Sequence, residues 1–233
     1  MPSPPVTDPI MLDVSEEAAA LAGTRFVIIR HGQSGAQERG FISGHDTCTG
    51  LSDLGRRQAG LLAERLRRTG ELQDASVFAT SLLERAQETA SIIAPALISG
   101  ATFEPECSWC EMHPGSVEGL QWAEAIERAD LTRLDDPSAR RAEGMETWTE
   151  VFDRVGTQFR TTALAHAGQS VVVAGHGGTV GSSFFELGGL DARAALDRVV
   201  TATNTSITEW RHDGSRWKLE RFNDAAHLLG VDW

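Results

Sequence analysis

Two stretches of this sequence end an apolar run in the same way. The first reads Ile29-Arg30-His31-Gly32, the second Ala174-Gly175-His176-Gly177-Gly178. Each puts a histidine where a buried strand would end, followed by glycine where the backbone must turn sharply. In open α/β sheets, ligands bind beyond the carboxyl ends of the strands. If the two strands are neighbours, His31 and His176 face one pocket. A lone histidine is usually a surface or hydrogen-bonded structural residue. Two with this placement point to a site. A third strand-like run, 75–79, leads through Thr80 and Ser81 to Arg85 in the next helical segment. The free N–H groups of that helix start and the guanidinium would together favour an anion such as phosphate. Position alone also allows an ordinary surface arginine paired with Glu84 or Glu88.

The segments that must position these residues alternate between strand and helix patterns. Residues 24–29 and 170–174 read as buried strands, and 75–79 and 101–104 as further ones. Residues 54–66 carry apolar residues at helical spacing, with Ser52 to cap them and Gly70 to stop them. A capping box, Ser81 with Glu84, predicts a helix over 81–93. Helical patterns follow at 121–134, 145–165 and 179–187. Two strands, 206–210 and 217–222, flank the turn Asp213–Gly214. The expectation is a three-layer α/β/α sandwich with a mostly parallel central sheet. Residues 1–23 read as a proline-rich, flexible tail with a short helix over 15–22. Residues 24–233 form a single domain, from which about 105–145 departs as a lid-like excursion.

The 233 residues suit one large domain, and a core of that size needs no disulfide or metal. A net charge of −12 argues against nucleic acid as a partner, though a local arginine cluster can still hold a small anion. No run approaches a membrane span and no leader is evident, so a cytoplasmic protein is expected. The cysteines, Cys48, Cys107 and Cys110, are no disulfide framework. Cys107 and Cys110 form a lone C-x-x-C. Zinc would need two more ligands at compatible spacing, none is seen to follow, and free thiols in a half-buried loop are expected.

Taken in order, these residues resemble the histidine phosphatase superfamily, also called phosphoglycerate-mutase-like, over about 24–228. The resemblance rests on Arg30-His31-Gly32-Gln33-Ser34, then Leu51-Ser52 to Gly55 with Gln58-Ala59, Ser81 to Arg85 with Thr89-Ala90, and His176-Gly177-Gly178. Glu111, Gly115, Glu118 and Gly119 resemble the family's E-x-x-x-G-x-x-E-G segment, and Gly144-x-Glu146-Thr147 its G-E-[ST] element. Asn223, Asp224 and His227-Leu228 resemble its C-terminal segment. The resemblance implies that His31 is the nucleophile, while Arg30, Arg85 and His176 surround the transferring phosphoryl group. It implies that Glu111 protonates the leaving alkoxide and then deprotonates the attacking water. Glu118 and Glu146 brace loops.

The expected activity is metal-independent hydrolysis of a small phosphorylated metabolite, with no metal or organic cofactor. The alternatives are a cofactor-dependent phosphoglycerate-type mutase and a phosphate-binding module with little catalysis. The mutases resemble this pattern but place arginine after the acid, where Met112 stands. They also have asparagine where Gly177 and Gln37 stand. The filled positions Arg30, His31, Arg85, Glu111 and His176 argue against the binding module. Gln37, Ser43, Gly44 and Gly177 are expected to touch substrate. Residues 44–50 are one longer than usual, which bears on Ser43, Gly44 and His45. Arg140 and Arg141 lie in the lid region and could hold a substrate carboxylate, but a solvated charge pair is the expected reading. The oligomeric state is open, a homodimer included.

Overall fold

The structure is a computed structural model that describes residues 14–97, 103–132, 135–191 and 201–230. The first thirteen residues of the expected tail lie outside the described residues.

A six-stranded sheet runs in the order β3-β2-β4-β1-β5-β6. Its strands are β1 (Arg25–Arg30), β2 (Ala75–Thr80), β3 (Glu104–Pro105), β4 (Ser170–Gly175), β5 (Ile207–His212) and β6 (Trp217–Asp224). The first four are mutually parallel, and β5 and β6 add an antiparallel edge. Alternate side chains of a strand point to opposite faces. In β1, Val27 and Ile29 pack with Leu62, Leu66, Ala90 and Ile93. These come from α3 (Asp53–Thr69) and α4 (Glu84–Leu97). Phe26 and Ile28 pack on the other face with Val155, Phe159 and Val180, from α6 (Trp148–Ala165) and α7 (Gly177–Glu186). The centre of the sheet is therefore buried on both sides, and its strands read as continuous apolar runs. This is the expected three-layer α/β/α arrangement.

Local signals explain most boundaries. Ser52 accepts from Gly55 N at the start of α3, and Gly70 ends it with φ 67°. Helix α6 starts later than its apolar pattern because Thr147 and Glu150 form a capping box there. Helix α4 corrects the reading at Ser81. It begins at Glu84, and Ser81 Oγ accepts from Leu83 N within a turn ahead of the helix. The pattern over 121–134 gives only α5 (Trp122–Ala129), which stops at Asp130 with φ 46°; residues 133–134 lie outside the described residues, as do 101–102 of the expected strand. Two short helices complete the described set, α1 (Val14–Ala20) and α2 (Gly35–Arg39). Just after α1, Leu21 is buried among the residues under α6. Val117, Ala125, Ala129 and Met145 of the 105–145 excursion form a small core of their own with Ile42. No described helix is long and apolar enough to cross a membrane.

Candidate active site

Register brings the two histidines together. Arg30 of β1 lies opposite Gly175 of β4, so the next residue on each strand leaves the sheet beside the other. The rings of His31 and His176 are 5.1 Å apart at 61°, and both are buried. His31 Nδ1 stands 2.6 Å from the Gly32 carbonyl oxygen. A carbonyl can only accept, so Nδ1 carries the proton and Nε2 keeps its lone pair.

The residues that the sequence pattern groups around this turn hold its backbone. Gly32 N donates to Thr89 Oγ1 at 3.0 Å and Gln33 N to Gln58 Oε1 at 2.9 Å. Gly32 and Gly55 approach so closely that a Cβ on either would enter backbone atoms of the other loop. A second brace was not legible in the sequence. Asn204 Nδ2 donates to the His31 carbonyl at 2.9 Å, and Thr205 N donates to the Arg30 carbonyl at 2.9 Å. Thr205 sits at φ 60°, and its hydroxyl pairs with His227 Nε2 at 2.9 Å. Asn223 Oδ1 accepts from Thr203 N at 2.7 Å. The C-terminal segment thus supports the loop behind His31.

Burial, then the positive charges of Arg85 and Arg30, drive the His31 pKa well below 6.5. Burial and Arg85 do the same to His176, with His31 and Arg30 adding to it. Both imidazoles are neutral at neutral pH, as a nucleophile requires. This carries a stability consequence. Between 6.5 and the lower folded-state values, the unfolded chain binds protons that the native chain does not. Stability is therefore full above pH 6.5 and is lost as pH falls below it, by up to about 1.4 kcal/mol per pH unit for each histidine. Urea midpoints should fall from pH 6.5 to 5.5, and His176→Asn should flatten that fall. An unchanged slope in the variant would show that His176 does not carry it.

Arg30 and Arg85 have no ion-pair partner among the described residues. Arg30 donates to the Ala202 carbonyl, and its Nε is buried without a partner. Arg85, 4% exposed, reaches only Ser43 and the Cys48 sulfur, at 3.4–3.5 Å. Both ring nitrogens of His176 are likewise buried and unpartnered. Buried polar groups are rarely left so. Here the two arginines line one cavity with His31, whose ring the fully buried His176 contacts from behind, and an anion in it would satisfy the arginines together.

Glu111 closes the opposite side. Its carboxylate accepts from Gly178 N and from Met112 N, each at 3.1 Å. A Cβ on Gly178 would collide with Glu111 Oε1, so this glycine gives the acid its place. Arg154, a residue the sequence did not single out, positions the segment carrying Glu111. It donates to the carbonyls of Cys107 at 3.1 Å, Cys110 at 3.0 Å and Glu111 at 3.4 Å. Its other contacts form a two-pronged ion pair with Glu146.

Glu118 and Glu146 brace loops. Glu118 Oε1 accepts from the amides of Gly44, Asp46 and Thr47 and from the Thr47 hydroxyl. Glu146 Oε2 accepts from His113 N at 2.8 Å. Gly44 accordingly lies behind the cavity wall, its amide engaged with Glu118. Ser43 and Gly177 line the cavity. Gln37 stands at the mouth, but its side-chain oxygen is used by Ser34 N and Asn204. Arg140 pairs with Glu150 at 2.6 Å; Arg141 corrects the expectation of a solvated pair, since it lies 3.3 Å from Asp135 and lines the cavity.

The cavity holds about 530 Å³. Arg30, His31, Arg85, Glu111 and Gly177 form its floor, while Phe41, Met112, Trp122, Met145, Trp148 and Phe152 are among its apolar walls. Cys107 and Cys110 form no disulfide. Burial, with Cys110 beside it, pushes the Cys107 thiol up to about 11, so it is a weak nucleophile at neutral pH. The reading that no other ligands accompany this pair is corrected: the fold places His45 and His113 next to it.

The model of the "Histidine phosphatase superfamily (branch 1)" matches residues 26–225. "Phosphoglycerate mutase-like protein 4" of Arabidopsis thaliana is 31% identical over 212 residues, covering 87% of this chain and 86% of that protein. The same plant's "Metal-independent phosphoserine phosphatase" is 27% identical over 218 residues, covering 89% and 84%. The structure of mycobacterial glucosyl-3-phosphoglycerate phosphatase with VO3 shares the fold, with a TM-score of 0.72, 24% identity, and coverage of 85% of this chain and 98% of that one. The chain belongs to the histidine phosphatase superfamily, branch 1.

Proposed function

We propose that this protein hydrolyses small phosphomonoesters by passing the phosphoryl group through His31. The observation that carries this reading is the meeting of a buried Arg85 and a half-buried Arg30, both without ion-pair partners among the described residues, with a neutral imidazole whose Nε2 lone pair is free. His31 Nε2 attacks phosphorus as the P–O bond to the leaving group breaks, and the departing alkoxide takes a proton from Glu111. Glu111 then takes a proton from water. The resulting hydroxide attacks phosphorus, the P–N bond breaks, and phosphate leaves with His31 restored. Arg30 and Arg85 balance charge on the equatorial oxygens, the role that phosphoryl transfer assigns to cations in the site, and the neutral His176 donates a hydrogen bond. Phosphate dianion between these groups also offsets the positive charges that depress both histidines.

The apolar wall favours a phosphoester whose alcohol carries hydrocarbon or ring surface over one bearing a second anionic group. The names of the relatives, a phosphoserine phosphatase and a glucosyl-3-phosphoglycerate phosphatase, support phosphatase chemistry on metabolite-sized substrates. Met112 lies in the wall where the mutases resembling this pattern place arginine; Arg141, which also lines the cavity, lies 3.3 Å from Asp135. The test is phosphate release from p-nitrophenyl phosphate and a panel of sugar, glycerate and aryl-alkyl phosphates, with EDTA present and no bisphosphate primer. Release is expected, fastest for the apolar esters. Activity that EDTA abolishes and magnesium restores would overturn the mechanism. A strict need for a bisphosphate would favour the mutase.

A further inference from the structure

A second cluster of chemically competent side chains lies beside the active site and is not used by it. Cys107 and Cys110 bracket one turn of 3-10 helix, Cys107–Trp109. His45 arrives from the loop after α2, and its Nε2 lies 3.6 Å from Cys107 Sγ. The ligand atoms of His45, Cys107 and Cys110 all lie within 4.8 Å of one another. His113 comes from the other side, with Nε2 3.5 Å from the same sulfur and its ring centroid 5.0 Å from that of His45.

These separations can be compared with a metal's demands. Tetrahedral zinc holds sulfur at about 2.3 Å and imidazole nitrogen at about 2.05 Å, which sets its S···N edges at about 3.5 Å. Both measured S···N distances match that edge. Histidine ligands commonly give their second nitrogen to a carboxylate, which fixes the ring. His113 Nδ1 stands 3.9 Å from Glu146 Oε2, short of hydrogen-bond contact but facing it, and Arg154 holds that carboxylate with a 2.7 Å contact.

We propose that His45, Cys107 and Cys110 form a site for a thiophilic divalent cation of the zinc type, with His113, which lies against Cys107 but outside the group of three, drawn in as the fourth ligand on binding. With His113 drawn in, four protein ligands close a tetrahedral shell and leave no position for substrate, so the site is structural. It joins two walls of the phosphoryl cavity. His45 follows Ser43, which touches Arg85, and Cys110 immediately precedes Glu111. The cation would staple the loop over the arginine to the segment bearing the acid, and no reaction step passes through it. Uptake displaces thiol protons, as cysteine ligation requires.

Cobalt(II) supplies the test, because tetrahedral cobalt–thiolate centres absorb intensely in the visible and near ultraviolet. The reduced, metal-stripped whole protein should bind one equivalent of Co2+ with those bands, and Zn2+ should bleach them. Cys107→Ser and Cys110→Ser should each remove the sulfur-to-cobalt band, whereas Cys48→Ser should leave it unchanged. His45→Ala, at an exposed position and expected to fold, should weaken Co2+ binding by more than the roughly 10- to 100-fold that loss of an outer partner causes. Zn2+ should raise the melting temperature of wild type and not that of His45→Ala. Weak octahedral bands only, or bands indifferent to Cys107→Ser and His45→Ala, would overturn the site.

Discussion

His31→Ala should reduce turnover by on the order of a millionfold, the usual scale when a hydrolase loses its nucleophile, while leaving phosphate binding and the fold in place. The separation of these effects is what makes the result informative. The side-chain hydrogen bond of His31 goes to its neighbour's carbonyl, and Gly32 N, Gln33 N and the His31 carbonyl are held by other residues. Alanine therefore removes the imidazole without loosening the turn. It also removes a buried group that loses stability in acid, so the variant should be less sensitive to mild acid than wild type. Arg30, Arg85 and His176 stay, and inorganic phosphate or vanadate should bind within several-fold of wild type. Rapid quenching of wild type with labelled substrate should trap label on His31 in acid-labile, base-stable form. Label on any other residue, or more than about a hundredth of the activity surviving in the variant, would remove His31 from its assigned place.

How far the site could be read from sequence depended on where each contribution lies. The strands ending at Arg30 and Gly175 were legible because a central strand buried on both faces is apolar without interruption. The histidines followed, since a residue at a strand end announces itself by the glycine beside it. The start of α4 was misplaced because Ser81 and Glu84 have the spacing of a capping box, yet Ser81 closes a tighter turn with Leu83. Arg154 was invisible for another reason. Its donors go to main-chain carbonyls of Cys107, Cys110 and Glu111, and a carbonyl leaves no trace in residue type. Asn204 and the Ala202 carbonyl lie in a stretch without periodicity, so neither could be assigned to the back of the site. His113 stood three residues from Cys110 in plain view, but His45 reaches the cysteines only through the packing of the 44–47 loop around Glu118. A ligand set assembled from distant segments is a property of the fold.

The effect of removing Glu111's proton should depend on what leaves. A general acid contributes about 10²- to 10⁴-fold, and only where the departing oxygen needs a proton. Glu111→Gln keeps the size of the side chain and a carbonyl oxygen that can still accept from Gly178 N, so the geometry around α7 should survive. With an alkyl phosphate such as a sugar or glycerol ester, the leaving alkoxide is strongly basic, and phosphoryl transfer to His31 should fall by the full factor. With p-nitrophenyl phosphate the leaving phenolate is stable without a proton, and the first step should hardly slow. The second step still needs water to lose a proton, so turnover of the aryl ester should become limited by hydrolysis of phosphorylated His31. A burst of p-nitrophenol equal to the enzyme concentration, followed by slow turnover, is the expected signature. Gly178→Ala should give a weaker version of this pattern at little cost in stability, because the added methyl meets the tip of a flexible side chain and pushes the carboxylate from its place. Equal losses on aryl and alkyl esters, with no burst, would mean that Glu111 only binds or braces, and that the proton comes from elsewhere.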